Sequence, residues 1–527
     1  MRRELGAVGV VLLLAGCSGS AGSNGADRPG RTTTTRPAPV EERIETRVVA
    51  LPDTVVGPRF PWWTSDGDRL LFSATPEGSD RVEVLTVQPD GSDVRCLSCG
   101  VAPDVGEPLL KPIPFADGRR VAVRVGNQNP LRAADHAILE CSPSVARCDD
   151  AELVPLVPPA ADDPTVTQDQ RELRLAPDGE HIGLSQVRTS RSGEAALVAT
   201  VGRLRRTADA YEVDDARVVS RRGELKSFTP DGQRVLVAEF TPGPFETANP
   251  DVVSIDLATG DVERVSYARD YDEPVEYAPD GASYAVGSGR SSGLFETVAQ
   301  VRRPSLLGTA LDPLTAYLFA HHRPELLEGW VVPTGAEADG ELGQRIPSPG
   351  GGYDGRPIYN WRPDGTAVVY WEGRGGGFET EPTDTRLVVA ELPDREPSDR
   401  PEADPVPSPA WAPPLAGFVP EALDPPASRS GQVQGSVTVG VTDREDGQDV
   451  EVTYDGFADE AGWVIDGTER AERRGDQTTY TADLVLSGDH EGSLRADAVI
   501  SVGAIDGTIT SEVDGHRLVL PRPGDGG

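Results

Sequence analysis

The chain has 527 residues, of which 37% are hydrophobic and 6% aromatic, which predicts a soluble protein with more than one modest hydrophobic core. Its formal net charge of -36 argues against nucleic acid and anionic headgroups as partners, because each phosphate would meet a repulsive field. Lysine occurs only at Lys111 and Lys226, whereas arginine, alanine, glycine, proline and aspartate are abundant. This bias indicates a high-GC, actinobacterial genome.

The first residues have the layout of a secretory signal. Two arginines at positions 2 and 3 precede an uncharged run over residues 6–14, which is too short for a stable membrane-spanning helix. The run ends in Leu-Ala-Gly-Cys at residues 14–17 and resembles bacterial lipoprotein signals. The resemblance implies that residues 1–16 are removed and that acyl chains on Cys17 hold the protein at the outer side of the cell membrane. The alternative is an ordinary signal peptide with an incidental cysteine.

A polar segment follows the lipidation site. Residues 17–45 are rich in Ser, Gly, Thr, Arg and Pro and cannot bury a core. We predict a flexible tether that lifts the rest of the chain off the membrane.

A sixfold repeat comes next. In each copy an Asp-Gly pair follows a hydrophobic or aromatic residue and precedes a short β run, and the six aspartates are Asp66, Asp117, Asp178, Asp231, Asp280 and Asp364. Proline, where present, sets φ at the first central position of a turn, the aspartate side chain caps the turn, and glycine takes a positive φ. We therefore predict that the aspartates are structural turn anchors between strands, with one copy in each of six blades.

These repeats are similar to the PD40 repeats of TolB-like β-propellers, and the similarity extends over residues 46–392. The resemblance implies an all-β fold, a six-bladed β-propeller. Two features depart from the pattern: Ala116 replaces the turn proline in the second copy, and nothing resembles the small α/β domain that precedes the propeller in TolB. The departures weaken any transfer of TolB's own partners to this chain.

Four further cysteines lie within the repeats, at Cys96, Cys99, Cys141 and Cys148. An even number of thiols outside the cytoplasm favours two local disulfides that hold hairpin ends together. A four-thiolate zinc site is the alternative, and no nearby histidine strengthens it. A thioredoxin-like use of Cys96 and Cys99 would need a βαβ context, and none is visible. We predict no metal site.

A long gap separates the fifth and sixth Asp-Gly pairs. It contains Pro313 to Glu328, in which we predict a short helical or irregular insertion over one face of the disc. Such a surface loop should contribute little to the core, so its deletion should leave folding intact while weakening binding. His321 and His322 are adjacent and cannot form a metal pair on one helical face, so we interpret them as surface histidines.

The composition changes twice after the repeats. Residues 393–430 are rich in Pro, Asp, Glu and Ala, which predicts a semi-stiff linker. Residues 431–520 alternate apolar and polar positions between Asp-Gly turns, which predicts a small antiparallel β-domain of roughly six strands. Residues 521–527 are expected to be a disordered tail.

No motif for catalysis or cofactor binding is found. A Gly-x-Ser-x-Gly elbow, a zinc-protease motif and a phosphate-binding loop are absent, and the acidic run 443–449 lacks the carboxylate spacing of a calcium loop. We therefore predict a monomeric, non-enzymatic, lipid-anchored binding or scaffolding protein without cofactors, which recognises a protein or a cell-envelope component. The alternative is a propeller enzyme, a lyase or glycosidase, and His and carboxylate side chains converging in the central funnel would favour it.

Overall fold

The computed structural model describes residues 41–101, 107–126, 135–192, 194–239, 251–322, 325–375, 382–398, 403–421 and 427–521. Strands dominate these residues and the helices are few and short, so the prediction of a mostly β chain is confirmed. Within those ranges no helix is both long enough and apolar enough to cross a membrane. Cys17 and the predicted signal lie outside the described residues.

Six successive groups of four strands, named units 1 to 6, form the first part of the fold. Unit 1 comprises β2 (Val55–Trp63), β3 (Leu70–Pro76), β4 (Glu83–Val87) and β5 (Arg95–Cys96). Unit 2 comprises β6 (Leu109–Pro114), β7 (Arg120–Val125), β8 (Asp135–Ser144) and β9 (Arg147–Val157). Unit 3 comprises β10 (Thr167–Leu175), β11 (His181–Thr189), β12 (Ala195–Arg206) and β13 (Tyr211–Ser220). A short parallel pairing of β13 with β9 joins units 2 and 3 into one sheet.

The next three units are built in the same way. Unit 4 comprises β14 (Gly223–Phe228), β15 (Arg234–Glu239), β16 (Asp251–Asp256) and β17 (Val262–Arg264). Unit 5 comprises β18 (Asp272–Tyr277), β19 (Ser283–Ser288), β20 (Glu328–Pro333) and β21 (Gln344–Arg345). Unit 6 takes β22 (Asp354–Trp361), β23 (Ala367–Arg374) and β24 (Asp384–Glu391) from one stretch of chain, and its fourth strand is the N-terminal β1 (Glu45–Val48).

The apolar cores lie between neighbouring units. Each unit shares a cluster of buried side chains with the next unit, and unit 6 shares one with unit 1. Leu70 and Leu387, for example, are both fully buried in the cluster between units 1 and 6. Because every junction is filled in this way, the six units form a closed ring.

The six predicted turn anchors all lie in equivalent turns between the first and second strands of a unit. In each turn the aspartate Oδ1 accepts a hydrogen bond from the backbone N–H two residues later, at 2.8–3.1 Å. The glycine that follows has φ between 67° and 75°, a conformation that other residues rarely adopt. The local chemistry of the turn is therefore as the sequence predicts.

The first strand of every unit carries a β-bulge. Its register against the second strand shifts near the middle of the strand in all six units. A bulge leaves residues out of the ladder and redirects their side chains. Lys111, Glu172, Lys226 and Glu273 are bulge residues of units 2 to 5.

A meander of eight antiparallel strands follows the ring, where the sequence predicts roughly six. The strands are β25 (Ser428–Ser430), β26 (Gln434–Arg444), β27 (Gly447–Ala458), β28 (Trp463–Arg474), β29 (Gln477–Gly488), β30 (Gly492–Ile500), β31 (Ile505–Val513) and β32 (His516–Leu520). Buried and exposed residues alternate along β29, so one face of the sheet packs against protein and the other faces solvent.

The insertion between β19 and β20 does not behave as the predicted surface loop. It contains α1 (Glu296–Ala299), a 3₁₀ turn (Gly308–Leu311) and α2 (Asp312–His321). Leu314 and Leu318 are fully buried in one continuous core with the inner face of the C-terminal sheet. The surface-loop prediction therefore does not hold for Leu314 and Leu318, and we expect deletion of the insertion to expose that core and destabilise the fold.

The segment predicted as a linker also packs on the ring. Where it is described, Leu415 is fully buried in the core between units 2 and 3, and Trp411 donates from Nε1 to the Leu257 carbonyl at 3.0 Å. Ordered contacts also begin before the predicted end of the tether at residue 45, since Glu42 forms an ion pair with Arg395 at 2.5 Å. The described residues 403–421 of the Pro-rich segment are called the strap. Its residues Val406, Ala412 and Leu415 are buried because they pack against side chains of the ring, whereas Trp411 stays 41% exposed.

Both predicted disulfide pairs are bonded locally. Cys96 at the end of β5 is bonded to Cys99, and Cys141 is bonded to Cys148 across the β8–β9 hairpin. The second disulfide holds a hairpin end of unit 2, whereas the first closes a short turn directly after β5 in unit 1.

Candidate functional site

The first strands of the six units surround a central channel. Residues at or just before the Asp-Gly turns of all six units line a cavity of about 110 Å³. Its wall combines polar side chains such as Ser227 and Glu276 with aromatic rings and turn prolines such as Trp62, Phe228 and Pro279. The ring thus converges on a narrow space rather than an open funnel.

Further along the channel, the bulge residues of units 2 to 5 form a chain of ion pairs. Lys111 Nζ lies 2.7 Å from Glu172, and Glu172 lies 2.8 Å from Arg174. Lys226 Nζ lies 2.7 Å from Glu224 and also contacts Glu273. Each of these pairs is largely shielded from water.

Three more contacts extend the chain of ion pairs. Arg171 of unit 3 reaches Glu224 of unit 4 at 3.2 Å, and the Tyr271 hydroxyl donates to Glu273. Arg174 donates from Nε to the Lys226 carbonyl. Charged side chains of four units therefore bind one another across the ring.

The two lysines of the whole sequence both lie in this chain of ion pairs. The scarcity of lysine indicates codon bias and does not by itself reveal this site. The available signal was that Lys111 and Lys226 each lie a few residues before an Asp-Gly turn, that is, in the first strand of a repeat. An alignment of the repeats by their turns would have placed both lysines in the channel.

Burial and neighbouring charges shift the pKa values of the ion-paired residues in the channel. Burial raises the pKa of Glu172 and Glu224, but the neighbouring cations outweigh it and hold both pKa values well below the usual range, at about 2 for Glu224. Burial likewise disfavours charge on Lys226, yet Glu224 and Glu273 raise its pKa. Burial lowers the pKa of Lys111 despite Glu172.

A histidine lies beside the cluster, which bears on the enzyme alternative. His136 is buried, and burial together with Arg124 lowers its pKa to about 3, so the ring is neutral at physiological pH. His136 and Glu172 thus do meet near the channel. The carboxylates beside them are ion-paired to cations, and within the described part of the chain no group of three or more His, Cys, Asp and Glu is arranged to hold a metal.

Known proteins resemble this chain in structure but not in sequence. No protein-family model and no curated protein matches the sequence. A putative TolB from Agrobacterium tumefaciens is 14% identical, with a TM-score of 0.35, over 57% of this chain and 81% of that one. An oligogalacturonate lyase in complex with manganese is 11% identical, with a TM-score of 0.36, over 67% of this chain and 97% of that one. Prolyl oligopeptidase B from Galerina marginata is 12% identical, with a TM-score of 0.34, over 76% of this chain and 56% of that one.

The chain is similar in structure to TolB and to other β-propeller proteins. All three TM-scores are below 0.5, and the likeness carries no activity with it.

A second group of buried charges, besides the ion pairs of the channel, lies where the insertion between β19 and β20 meets the C-terminal sheet. Arg303 of the insertion and Glu469 of β28 are both completely buried and form a two-pronged ion pair at 3.0 and 2.7 Å. The hydroxyls of Tyr454 and Tyr480 donate to the same carboxylate at 2.8 and 3.0 Å. Burial disfavours the charged guanidinium, but Glu469 outweighs it and raises the pKa of Arg303.

Polar contacts at the edge of this junction hold the sheet in register on the insertion. Asp312 pairs with Arg473 at 2.9 Å, and Trp463 donates from Nε1 to the Arg302 carbonyl at 2.8 Å. His321, predicted to be a surface histidine, approaches the Val502 carbonyl through Nε2 at 2.9 Å. The insertion is therefore bound to the sheet by both apolar packing and specific hydrogen bonds.

The acidic run 443–449 covers the end of β26, the two-residue turn 445–446 and the start of β27. Asp449 is paired with Arg444 at 2.7 Å and with Arg474 at 2.6 Å. These contacts fit the sequence interpretation of a charged turn.

Proposed function

We propose that this protein is a lipid-anchored, extracytoplasmic and non-enzymatic binding or scaffolding protein. In this proposal the six units are the blades of a six-bladed propeller, residues 431–520 are a C-terminal β-domain, and the monomer is tethered to the membrane through Cys17. Its partner is a protein or a component of the cell envelope.

The main support for the proposal is that the channel leaves little free space and that its charged side chains are paired. Sites for small molecules usually have about 300–1,000 Å³ of space. The cavity between the turns measures about 110 Å³, which is too small for a sugar unit with its catalytic groups. The charged side chains beyond it are already paired with one another. Both features favour a rigid support over a catalytic funnel.

The outer face of the C-terminal sheet is the surface that we assign to the partner. On β29, Thr479, Thr481, Asp483 and Val485 point outward in alternation with buried residues. The buried face of the same sheet is fastened to the propeller by the insertion, so the outer face is presented in a fixed orientation. A polar, rigid sheet surface suits recognition of another macromolecule.

The anchor is tested by Cys17→Ala. Because stable membrane anchoring needs acyl chains on this residue, the variant should be released from the membrane fraction or remain unprocessed. Fractionation and mass analysis of the exported protein measure this outcome. Normal processing and unchanged membrane fractionation would contradict the anchor.

The partner surface is tested by photo-crosslinking in intact cells. A photoreactive residue at Val485 should give a discrete adduct with the partner, whereas the same residue at Val262, which is also exposed but lies on the outer strand of unit 4, should not. An adduct at Val262 and none at Val485 would overturn the assignment of the surface. Cleavage of envelope polysaccharide by the purified protein, abolished by Glu172→Gln, would instead support the enzyme alternative.

A further inference from the structure

The two disulfides differ in their access to solvent. Cys99 is exposed and Cys96 is half-buried, in the turn that directly follows β5. Cys141 is only 5% exposed in the core between units 1 and 2, and the half-buried Cys148 packs against that core. Cys99 is therefore the most exposed of the four cysteines, and exposed disulfides are the ones that other thiols attack most readily.

The turn that carries Cys96 and Cys99 is held in place by contacts other than the disulfide. The backbone N–H of Leu97 donates to the Val84 carbonyl at 2.8 Å. The Ser98 hydroxyl accepts from the Val84 N–H at 2.9 Å and donates to the Glu83 carboxylate at 2.5 Å. Leu97 and Ser98 are both buried. Breaking the S–S bond removes none of these contacts, so the two sulfur atoms should stay close enough to form it again.

Cys96 is suited to leave as a thiolate when the disulfide is attacked at Cys99. The backbone N–H of Cys99 donates to Cys96 Sγ, with 3.1 Å between nitrogen and sulfur. A hydrogen bond to the charged form of a group favours that form, so this N–H stabilises negative charge on Cys96. A more stable thiolate is a better leaving group in disulfide exchange. The turn thus combines an accessible sulfur with a stabilised leaving group.

We propose that the Cys96–Cys99 disulfide is a thiol–disulfide exchange site that oxidises dithiols of other proteins. A thiolate of the dithiol attacks Cys99 Sγ, the S–S bond breaks, and its electron pair leaves on Cys96 Sγ. The second thiolate of the dithiol then attacks the dithiol's own sulfur in the mixed disulfide, which closes the substrate disulfide and releases Cys99 as a thiolate. The two protons that the substrate thiols lose end on Cys96 and Cys99. The substrate therefore loses two electrons, and the cysteine pair gains them.

This exchange needs an accessible disulfide on a rigid support and does not need the βαβ context of a thioredoxin. The Cys141–Cys148 disulfide keeps its structural role in the hairpin of unit 2. The exchange site does not depend on the proposed scaffolding role, so either proposal can fail alone.

A redox titration of the intact protein compares the two disulfides. The oxidised protein is equilibrated with buffers of graded ratios of reduced to oxidised glutathione and quenched by alkylation, and peptide mass analysis measures the alkylated fraction of each cysteine. The equilibrium constant for reduction should be at least about tenfold larger for Cys96–Cys99 than for Cys141–Cys148, a difference of about 30 mV. Cys141–Cys148 is the control within the same molecule. Reduction of both pairs at the same glutathione ratio, or of Cys141–Cys148 first, would overturn the proposal.

The oxidation of a dithiol is tested with a synthetic peptide that carries two cysteine residues. Mixed in excess with the oxidised protein in the absence of oxygen, the peptide should yield one peptide disulfide for each protein molecule, and Cys96 and Cys99 should become alkylatable. The double variant Cys96→Ser with Cys99→Ser retains Cys141–Cys148 and should yield none, with a thermal melt to verify that it is folded. No peptide disulfide from the wild-type protein, or an equal yield from the double variant, would contradict the exchange.

The mixed disulfide at Cys99 is tested with oxidised glutathione. In the Cys96→Ser variant, glutathione should remain bound to Cys99, because no second thiol is present to displace it. The wild-type protein with Cys96 and Cys99 reduced should carry at least about tenfold less glutathione at Cys99, because Cys96 attacks the mixed disulfide and releases it. Equal amounts of glutathione on the two proteins would contradict the role of Cys96.

Discussion

Replacing Arg303 by methionine is expected to lower the free energy of unfolding by about 3–5 kcal/mol, the usual cost of removing one partner of a buried ion pair. The substitution leaves the Glu469 carboxylate completely buried without its cation. The Tyr454 and Tyr480 hydroxyls still donate to it, but they cannot neutralise its charge. The loss should be concentrated in the C-terminal sheet, where hydrogen–deuterium exchange of β28 and β29 measures it alongside calorimetric melting.

Two further variants separate the ion pair from simple packing. The double variant Arg303→Met with Glu469→Leu should regain much of the lost stability, because no unpaired charge then remains in the core. The matched control is Arg302→Met, at the neighbouring position, whose ion pair with Glu460 is exposed and should contribute no more than about 1 kcal/mol. An Arg303→Met protein as stable as the control would show that the ion pair does not hold the sheet on the insertion.

Replacing Lys226 by methionine is expected to have an effect of similar size, about 3–5 kcal/mol, in the propeller. Lys226 is almost fully buried and binds carboxylates of two units, Glu224 and Glu273. Methionine fills a similar volume, so the loss reports the missing charge and not a cavity. Equilibrium unfolding in urea measures the loss.

The dependence of this loss on pH identifies its cause. In the wild-type protein the pKa of Glu224 is about 2, below the value of about 4.3 in the unfolded chain. The charged Glu224 therefore adds its full contribution to the free energy of unfolding above about pH 4.3, and this contribution disappears only as the pH falls through about 2. Without Lys226 the pKa of Glu224 should rise from that value, although Arg171, 3.2 Å away, still lowers it. The variant should therefore lose less stability than the wild type as the pH falls below about 4.3, so its deficit should be largest at pH 7 and shrink as the pH falls towards about 3.

The control for this series is an exposed ion pair of the same ring. Arg203 and Glu180 are 2.9 Å apart, and both side chains are more than half exposed, so Arg203→Met should change stability by about 1 kcal/mol or less. A Lys226→Met deficit that stays constant from pH 7 down to about pH 3 would contradict an electrostatic role. Retention of propeller stability in that variant would also remove the argument that the channel is a structural support.

The repeat turns could be predicted from the sequence because their chemistry is local. Asp231 caps a backbone N–H only two residues away, and the glycine next to it adopts the positive φ that the turn requires. The same holds for the local disulfides, whose cysteines are separated by three and seven residues. Such interactions depend only on residues that lie close together in the sequence.

The buried ion pairs of the channel and the packing of the insertion could not be predicted in this way. Lys226 and Glu273 are 47 residues apart and meet only because bulges in the first strands of two units redirect both side chains into the same channel. The insertion was interpreted as a surface loop because its own hydrophobic pattern shows no partner. That partner is a sheet that begins more than 100 residues later.

The sequence by itself determined the β class, the six turns and the strand alternation of the C-terminal region, because each depends on residues a few positions apart. Only the tertiary structure decided what the buried charges and apolar residues contact. Arg303 and Glu469 are 166 residues apart, and the strap that carries Trp411 is ordered only by its contacts with the ring. Such contacts depend on how sheets pack and which strands carry bulges, and packing of this range leaves no periodic signal in a single sequence.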